Sequence, residues 1–242
     1  MSKKNLSYPL IAIWVMLLTA CNGSRRPPAH DIAASPEQLT IKTTDNIRKL
    51  LNYSKENKGE IGDSIFLYDD SLVRYTYEKN YFLPFWSTKE EWKAYADSFF
   101  YFLGNAKLYG LFPEDYHFGL LDSIQKRIKG DSAGNSDRRD AALWSRADLL
   151  LTDAFLRVIK DVKMGRLPKD SITLRTDSVL LNDFYLKQFN VLKQSGSLSR
   201  VVHDLEPKHK GYQLLKEGIK KFLDSADNRE LTVVPLPGKN VP

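Results

Sequence analysis

A run of four residues carries the densest set of potentially reactive side chains in the chain. Glu114, Asp115, Tyr116 and His117 supply two carboxylates, a phenol and an imidazole at consecutive positions. Carboxylates and imidazoles are the usual groups of general acid–base catalysis. Acids beside Pro113, however, also complement the positive end of a helix dipole. We therefore interpret the cluster as the start of a helix and not as a catalytic centre.

The four histidines do not form a metal-binding pattern. Zinc sites use ligands three to five residues apart, with a second pair nearby. His203 and His209 are too far apart for this, and Pro207 between them prevents a shared helical face. His30 precedes the globular region. We predict that the protein has no metal site and no cofactor.

Motifs of nucleophilic catalysis are also missing from the sequence. It has no Gly-x-Ser-x-Gly elbow of a hydrolase, no glycine-rich phosphate loop and a single cysteine. Paired carboxylates could hydrolyse a glycan, but 30 acidic residues make chance pairs certain, and the Glu-Ser dipeptide of lytic transglycosylases does not occur. The sequence therefore predicts no catalytic residues and no enzyme activity.

Cys21 is the residue for which the sequence predicts a definite chemistry. Two lysines precede an apolar run over residues 8–18, which is shorter than the roughly 20 apolar residues of a membrane span but typical of a signal peptide. The run ends in Leu18-Thr19-Ala20-Cys21, which resembles the lipobox of bacterial lipoproteins. This resemblance implies cleavage before Cys21 and a diacylglyceryl group on its thiol.

Lipidation of Cys21 would determine the location of the protein. A single acyl chain binds a membrane marginally and two anchor stably, so three chains would hold the protein permanently. We expect a membrane-anchored lipoprotein of the cell envelope that faces the periplasm. Asn22 stands where some bacteria place an aspartate for inner-membrane retention, which favours the outer membrane.

The charge pattern argues against nucleic acid as a partner. Removal of Lys3 and Lys4 with the signal lowers the formal net charge from +6 to +4. Acidic and basic residues alternate, as in Lys89-Glu90-Glu91, so no basic stripe is formed. A core must stabilise the domain, since one cysteine allows no disulfide framework, and 42% hydrophobic residues suffice for a core.

Composition divides the chain into four parts. Residues 1–20 are the predicted signal peptide, and the polar, proline-containing residues 21–35 are a predicted flexible tether that holds the domain off the membrane. Residues 36–228 read as helices separated by Gly, Pro and polar clusters. Residues 229–242 are a tail, in which Leu231-Thr232-Val233-Val234 is the only strand-like stretch.

Hydrophobic periodicity predicts an all-α, irregular multi-helix domain. Ser35-Pro36-Glu37 is typical of a capped helix start, with the helix running towards Tyr53. The longest periodic segment, from Arg138 to Lys163, ends at Gly165 and is predicted to be the central helix. The other predicted helices begin near residue 69, after Ser87-Thr88 with Glu90 or Glu91 in the first turn, after Pro113, and over residues 180–194, 198–205 and 212–223.

Four sequence blocks occur in a distinctive order. They are Val73 to Trp86, the Gly-Leu-x-Pro-x-Asp-Tyr-His block from Gly110 to His117, the helical segment Asp148 to Arg157 closing at Gly165-Arg166-Leu167, and Leu205 to Tyr212 with Leu215 following. Together these blocks resemble the helical scaffold domain of the long, multi-domain murein L,D-transpeptidases. The resemblance implies a helical fold and a role in the bacterial cell wall.

The family's chemistry belongs to a later, β-rich domain, with a histidine and a Ser/Thr-His-Gly-Cys motif whose thiolate attacks the donor stem peptide. This chain has neither feature, and Cys21 lies in the cleavage box without a histidine context. The sequence therefore predicts a non-catalytic scaffold lipoprotein that binds peptidoglycan or a cell-wall enzyme, or a fragment of a truncated transpeptidase. The alternatives are a muramidase-type hydrolase with unrecognised carboxylates and a generic helical interaction lipoprotein.

Overall fold

The computed structural model describes residues 26–130, 139–166 and 180–225. Within these residues the fold is all-α, as predicted, with one two-stranded hairpin. None of the helices described is both long and apolar enough to cross a membrane. The elements are α1 (Pro36–Glu56), α2 (Asp70–Lys79), β1 (Ser87–Thr88), β2 (Glu91–Trp92), α3 (Ala94–Gly104), α4 (Phe118–Gly130), α5 (Ala141–Met164), α6 (Asn182–Ser195), α7 (Leu198–Leu205) and α8 (Lys210–Ser225). Two short 3₁₀ helices, Ala106–Tyr109 and Pro113–Tyr116, connect α3 to α4.

Helix α5 is the centre of the fold, which confirms the prediction from its apolar stripe. It is buried on almost every side and contacts α1, α2, α4, α6 and α7. The Asp140 side chain caps its start by accepting a hydrogen bond from the Ala142 backbone N–H at 3.0 Å. Gly165 ends it at φ 84°, a conformation that glycine adopts without strain.

An aromatic cluster fills the core between α5, α3 and α6. The Trp86 ring is fully buried. It stacks on Phe99 at 5.2 Å between ring centroids and meets Phe155 and Phe189 edge-on at 5.6 and 6.1 Å. Offset and edge-on aromatic pairs stabilise a core beyond their burial alone. Trp86 therefore fixes how the segment before the hairpin packs on α5.

The region after Ser87-Thr88 differs from the prediction. Residues predicted as the first turn of a helix form the antiparallel pair β1–β2, in which Ser87 pairs with Trp92 and Thr88 with Glu91. Lys89 occupies the left-handed region at φ 53° in the turn, which a helix does not allow. Helix α3 begins only at Ala94 and has Asp97 in its first turn. A tertiary interaction causes the difference, because the hairpin directly follows Phe85 and Trp86, whose backbone is hydrogen-bonded to α5.

The prediction of a flexible tether over residues 21–35 is wrong for its last part. The Ala33 N–H donates to the Arg139 carbonyl and the Ala141 N–H donates to the Asp31 carbonyl, both at 2.8 Å. Ala33 is buried. The buried Arg146 guanidinium also donates to the Ala29 carbonyl at 3.0 Å. These bonds, which composition does not reveal, attach the described part of the segment to the domain.

Candidate functional site

Four aspartates along α5 and at its cap bind other parts of the chain to this helix. They are Asp140, Asp148, Asp153 and Asp161. Asp140 accepts from the Asp31 N–H at 2.9 Å and lies 2.6 Å from His30 Nδ1. This carboxylate therefore joins the start of the domain to the start of the central helix.

Asp148 anchors the segment that leads into the hairpin. Its Oδ1 accepts from the Tyr77 hydroxyl at 2.5 Å and from the Phe85 N–H at 2.9 Å, and its Oδ2 accepts from the Trp86 N–H at 3.0 Å. One turn further along α5, Thr152 Oγ1 accepts from the Trp86 indole N–H at 2.9 Å. A fully buried carboxylate requires such donors, because burial without them is costly.

Burial dominates the electrostatics around Asp148. It raises the pKa of this carboxyl, although the bonds from Tyr77, Phe85 and Trp86 and the nearby Lys93 act in the opposite direction. Burial and the proximity of Asp148 raise the pKa of Tyr77, so its hydroxyl stays protonated and donates. Lys93 also binds this segment, because its ammonium group donates to the Phe85 carbonyl at 2.8 Å.

Asp153 anchors two further segments one turn beyond Asp148. It accepts from the Tyr68 N–H at 2.9 Å and the Asp69 N–H at 3.1 Å. Its Oδ2 also lies 2.7 Å from His117 Nε2. The His117 imidazole stacks on the Tyr68 ring at 4.4 Å between ring centroids. His117 is thus held by a buried carboxylate and an aromatic ring.

The structure separates the reactive groups of residues 114–117 from one another. The Tyr116 hydroxyl donates to Asp161 Oδ2 at 2.9 Å, whereas Asp115 forms an ion pair with Arg166 at 2.5 Å. Burial raises the pKa of Asp161 and that of Tyr116. The acids do lie at a helix start, as predicted, but it is the 3₁₀ helix Pro113–Tyr116, and α4 follows only after His117 at φ 57°.

An aromatic–arginine patch, formed by Tyr68, Phe112, Arg157 and Arg166, covers the surface above these anchors. The Arg157 guanidinium lies 4.1 Å from the Tyr68 ring centroid and the Arg166 guanidinium 4.3 Å from that of Phe112. About half of each ring residue is exposed. Such cation–π pairs hold guanidinium groups flat against the protein. Phe112 of the patch belongs to the Gly110–His117 block.

Among the described residues, no hydrogen bond joins a serine to a histidine in the manner of an activated nucleophile. Hydrogen bonds link His30, His117 and His209 to aspartates or to backbone, and none of the described serines bonds to a histidine. No described group of three or more His, Cys, Asp or Glu side chains could hold a metal ion. Cys21, the predicted lipidation site, lies outside the described residues, as do residues 226–242 of the predicted tail.

The anchoring role of Asp148, Asp153 and Asp161 was not predicted from the sequence. The available signal was their position in an otherwise apolar helical segment, where a charged side chain needs a partner. The partners lie 36 to 85 positions away for Asp148 and Asp153, so no local pattern identifies them. The sequence blocks noted above nevertheless contain most of these partners.

Comparison with known families supports the resemblance that the four sequence blocks indicated. The family model described as "Scaffold domain" matches residues 71–219, which is more than half of the 242-residue chain. No curated protein and no solved structure is significantly similar to the chain.

Proposed function

Because the chain belongs to this scaffold-domain family, as its L,D-transpeptidase-like blocks predicted, we propose that it is a membrane-anchored, non-catalytic scaffold lipoprotein that acts in peptidoglycan biogenesis. The observation that carries the proposal is the family match over residues 71–219. The lipobox-like Leu18-Thr19-Ala20-Cys21 supports the anchoring, and the resemblance of the four sequence blocks to the murein L,D-transpeptidases supports the process.

The hydrogen bonds to α5 suggest what such a scaffold provides. Asp148 holds the Val73–Trp86 block, while Asp153 and Asp161 hold the Gly110–His117 block. Asp148 and Asp153 are buried, and hydrogen-bonded networks of buried carboxylates rigidify the segments that they join. The aromatic–arginine patch lies on that body and can meet peptidoglycan or a cell-wall enzyme. A truncated transpeptidase and a dedicated scaffold would share this body.

Loss of the Cys21 thiol should abolish lipid anchoring. In the Cys21→Ser variant, expressed as the full chain, we expect an uncleaved or soluble species, since the diacylglyceryl group is transferred to sulfur. Detergent phase partitioning and gel mobility measure the effect, and globular folding should be unchanged by far-UV circular dichroism. Partitioning and mobility equal to those of the wild type would exclude lipidation at Cys21.

The mature domain should bind murein without reacting with it. After incubation with tetrapeptide-stemmed murein, we expect the delipidated domain to sediment with the murein and to form no crosslinks. After a separate incubation with a carbapenem, we expect it to carry no drug adduct. Acyl transfer needs an activated nucleophile, a base and oxyanion donors. Mass spectrometry and murein analysis give the result. A stable drug adduct would reveal a nucleophile that the sequence analysis missed. Clearing of a peptidoglycan zymogram would indicate a hydrolase. Failure of the domain to sediment with murein would favour a protein partner.

A further inference from the structure

The chain between Cys21 and the folded body is short. Arg26 forms an ion pair with Asp63, and the Arg146 guanidinium donates to the Pro28 and Ala29 carbonyls at 3.2 and 3.0 Å. The same guanidinium approaches Asp63 at 3.6 Å. Arg26 is therefore attached to the domain, and five peptide units separate Cys21 from Arg26.

This length limits how far the domain can move from a lipid anchor. A fully extended chain spans at most about 3.3–3.6 Å per residue, so Cys21 and Arg26 can be no more than about 18 Å apart. A compact body of this size has a diameter of roughly 40 Å, judged from its expected radius of gyration. Because the reach is less than half the diameter, the side opposite Arg26 cannot be turned to the membrane.

We propose that the surface formed by Arg26, Glu60, Asp63 and Ser64 faces the lipid headgroups and that the Phe112–Arg166 pair of the aromatic–arginine patch is held on the side turned away from them. The inference rests on the proposed lipidation of Cys21 and adds an orientation to it. The occupant of the surface around Arg26 is the headgroup layer of the membrane that holds the acyl chains. The length of chain between the anchor and the body determines this assignment.

Helix α5 relates the two surfaces. Arg146 lies in its second turn and contacts the membrane-facing surface, whereas α5 ends at Met164 beside Arg166 of the patch. At 1.5 Å per residue, the 18 residues from Arg146 to Met164 extend about 27 Å along the helix. The Phe112–Arg166 pair is thus separated from Arg146 by about 27 Å along α5, whereas Tyr68 of the patch lies only four residues after Ser64. The Phe112–Arg166 pair is therefore accessible to murein or to a partner from the periplasmic side.

The orientation can be measured by energy transfer to the membrane. Ser64→Cys places a label beside Asp63, and Glu114→Cys places one beside the patch; both positions are exposed. Each lipidated full chain, labelled with a donor dye, is reconstituted in vesicles of phosphatidylethanolamine and phosphatidylglycerol that contain a rhodamine-headgroup acceptor lipid. We expect at least twofold higher transfer from position 64 than from position 114. Equal transfer or the reverse order would overturn the orientation.

A lengthened linker provides the control. Ten Gly/Ser residues inserted after Asn22 raise the maximum reach to about 50 Å, beyond the diameter of the body, and the difference between the two positions should largely disappear. A difference that persists at full size would contradict a constraint imposed by chain length. Vesicle flotation separates the two hypotheses: protein that does not float refutes the lipidation, whereas floating protein with equal transfer refutes only the orientation.

Discussion

Ala154→Asp should destabilise the domain by about 3 kcal/mol or more, because it buries an unpaired charge in the centre of the core. Ala154 lies on α5, and its side chain has no exposed surface. The substitution would both desolvate a carboxylate and crowd a close-packed interior. For a domain of this size the melting temperature should fall by roughly 6–12 °C, as measured by circular dichroism or calorimetry.

Ala94→Asp is the matched control for this substitution. Ala94 is exposed at the first position of α3, where an acid interacts favourably with the helix dipole. We expect no destabilisation, or a gain of a few tenths of a kcal/mol. A melting temperature of Ala154→Asp close to that of the wild type would show that this face of α5 is accessible to water.

Asp148→Ala should have the second large effect on stability. It leaves the Phe85 and Trp86 N–H groups without an acceptor in the core, while the Tyr77 hydroxyl retains Thr152 Oγ1 at 2.9 Å. Each buried group left unpaired costs about 1–3 kcal/mol, so we expect a loss of roughly 2–5 kcal/mol in urea unfolding. Local exchange should increase most at Phe85 and Trp86, which hydrogen-exchange mass spectrometry resolves.

The pH dependence identifies the carboxylate as the cause. Burial raises the pKa of Asp148 above its usual 3.8, so in this respect the folded state binds a proton more tightly than the unfolded state. The stability that this protonation contributes is fully present below about pH 4 and is lost as the pH rises through the raised pKa. Asp148→Asn, which cannot titrate, should lack this component.

Urea unfolding of the wild type and of Asp148→Asn across this range gives the comparison. The difference in unfolding free energy between wild type and Asp148→Asn should change in favour of the variant as the pH rises. In Asp148→Asn, an amide NH₂ group replaces one of the two oxygens that accept from the Phe85 and Trp86 N–H groups. The variant should therefore remain less stable than the wild type at acidic pH. Parallel stability profiles would show that Asp148 has the same pKa in both states.

The sequence by itself determined the helical class, the position of α5 and the family. The stripe that includes Leu143, Ala147 and Leu150 has the 3.6-residue period of a buried helix face, and α5 occupies that segment. The Ser35 cap and the stop at Gly165 follow from local backbone chemistry in the same way. These features could be predicted because residues a few positions apart produce them.

Only the tertiary structure decided which polar groups meet. The hairpin at residues 87–92 replaces a plausible helix start because Asp148, more than 60 positions away, holds Phe85 and Trp86. Residues 28–33 belong to the domain because their backbone forms hydrogen bonds with Arg139 and Arg146, which lie more than 100 positions later in the sequence. Hydrophobic periodicity reports burial along one element, whereas a hydrogen bond between distant segments depends on how separate elements pack, which their order in the chain does not reveal.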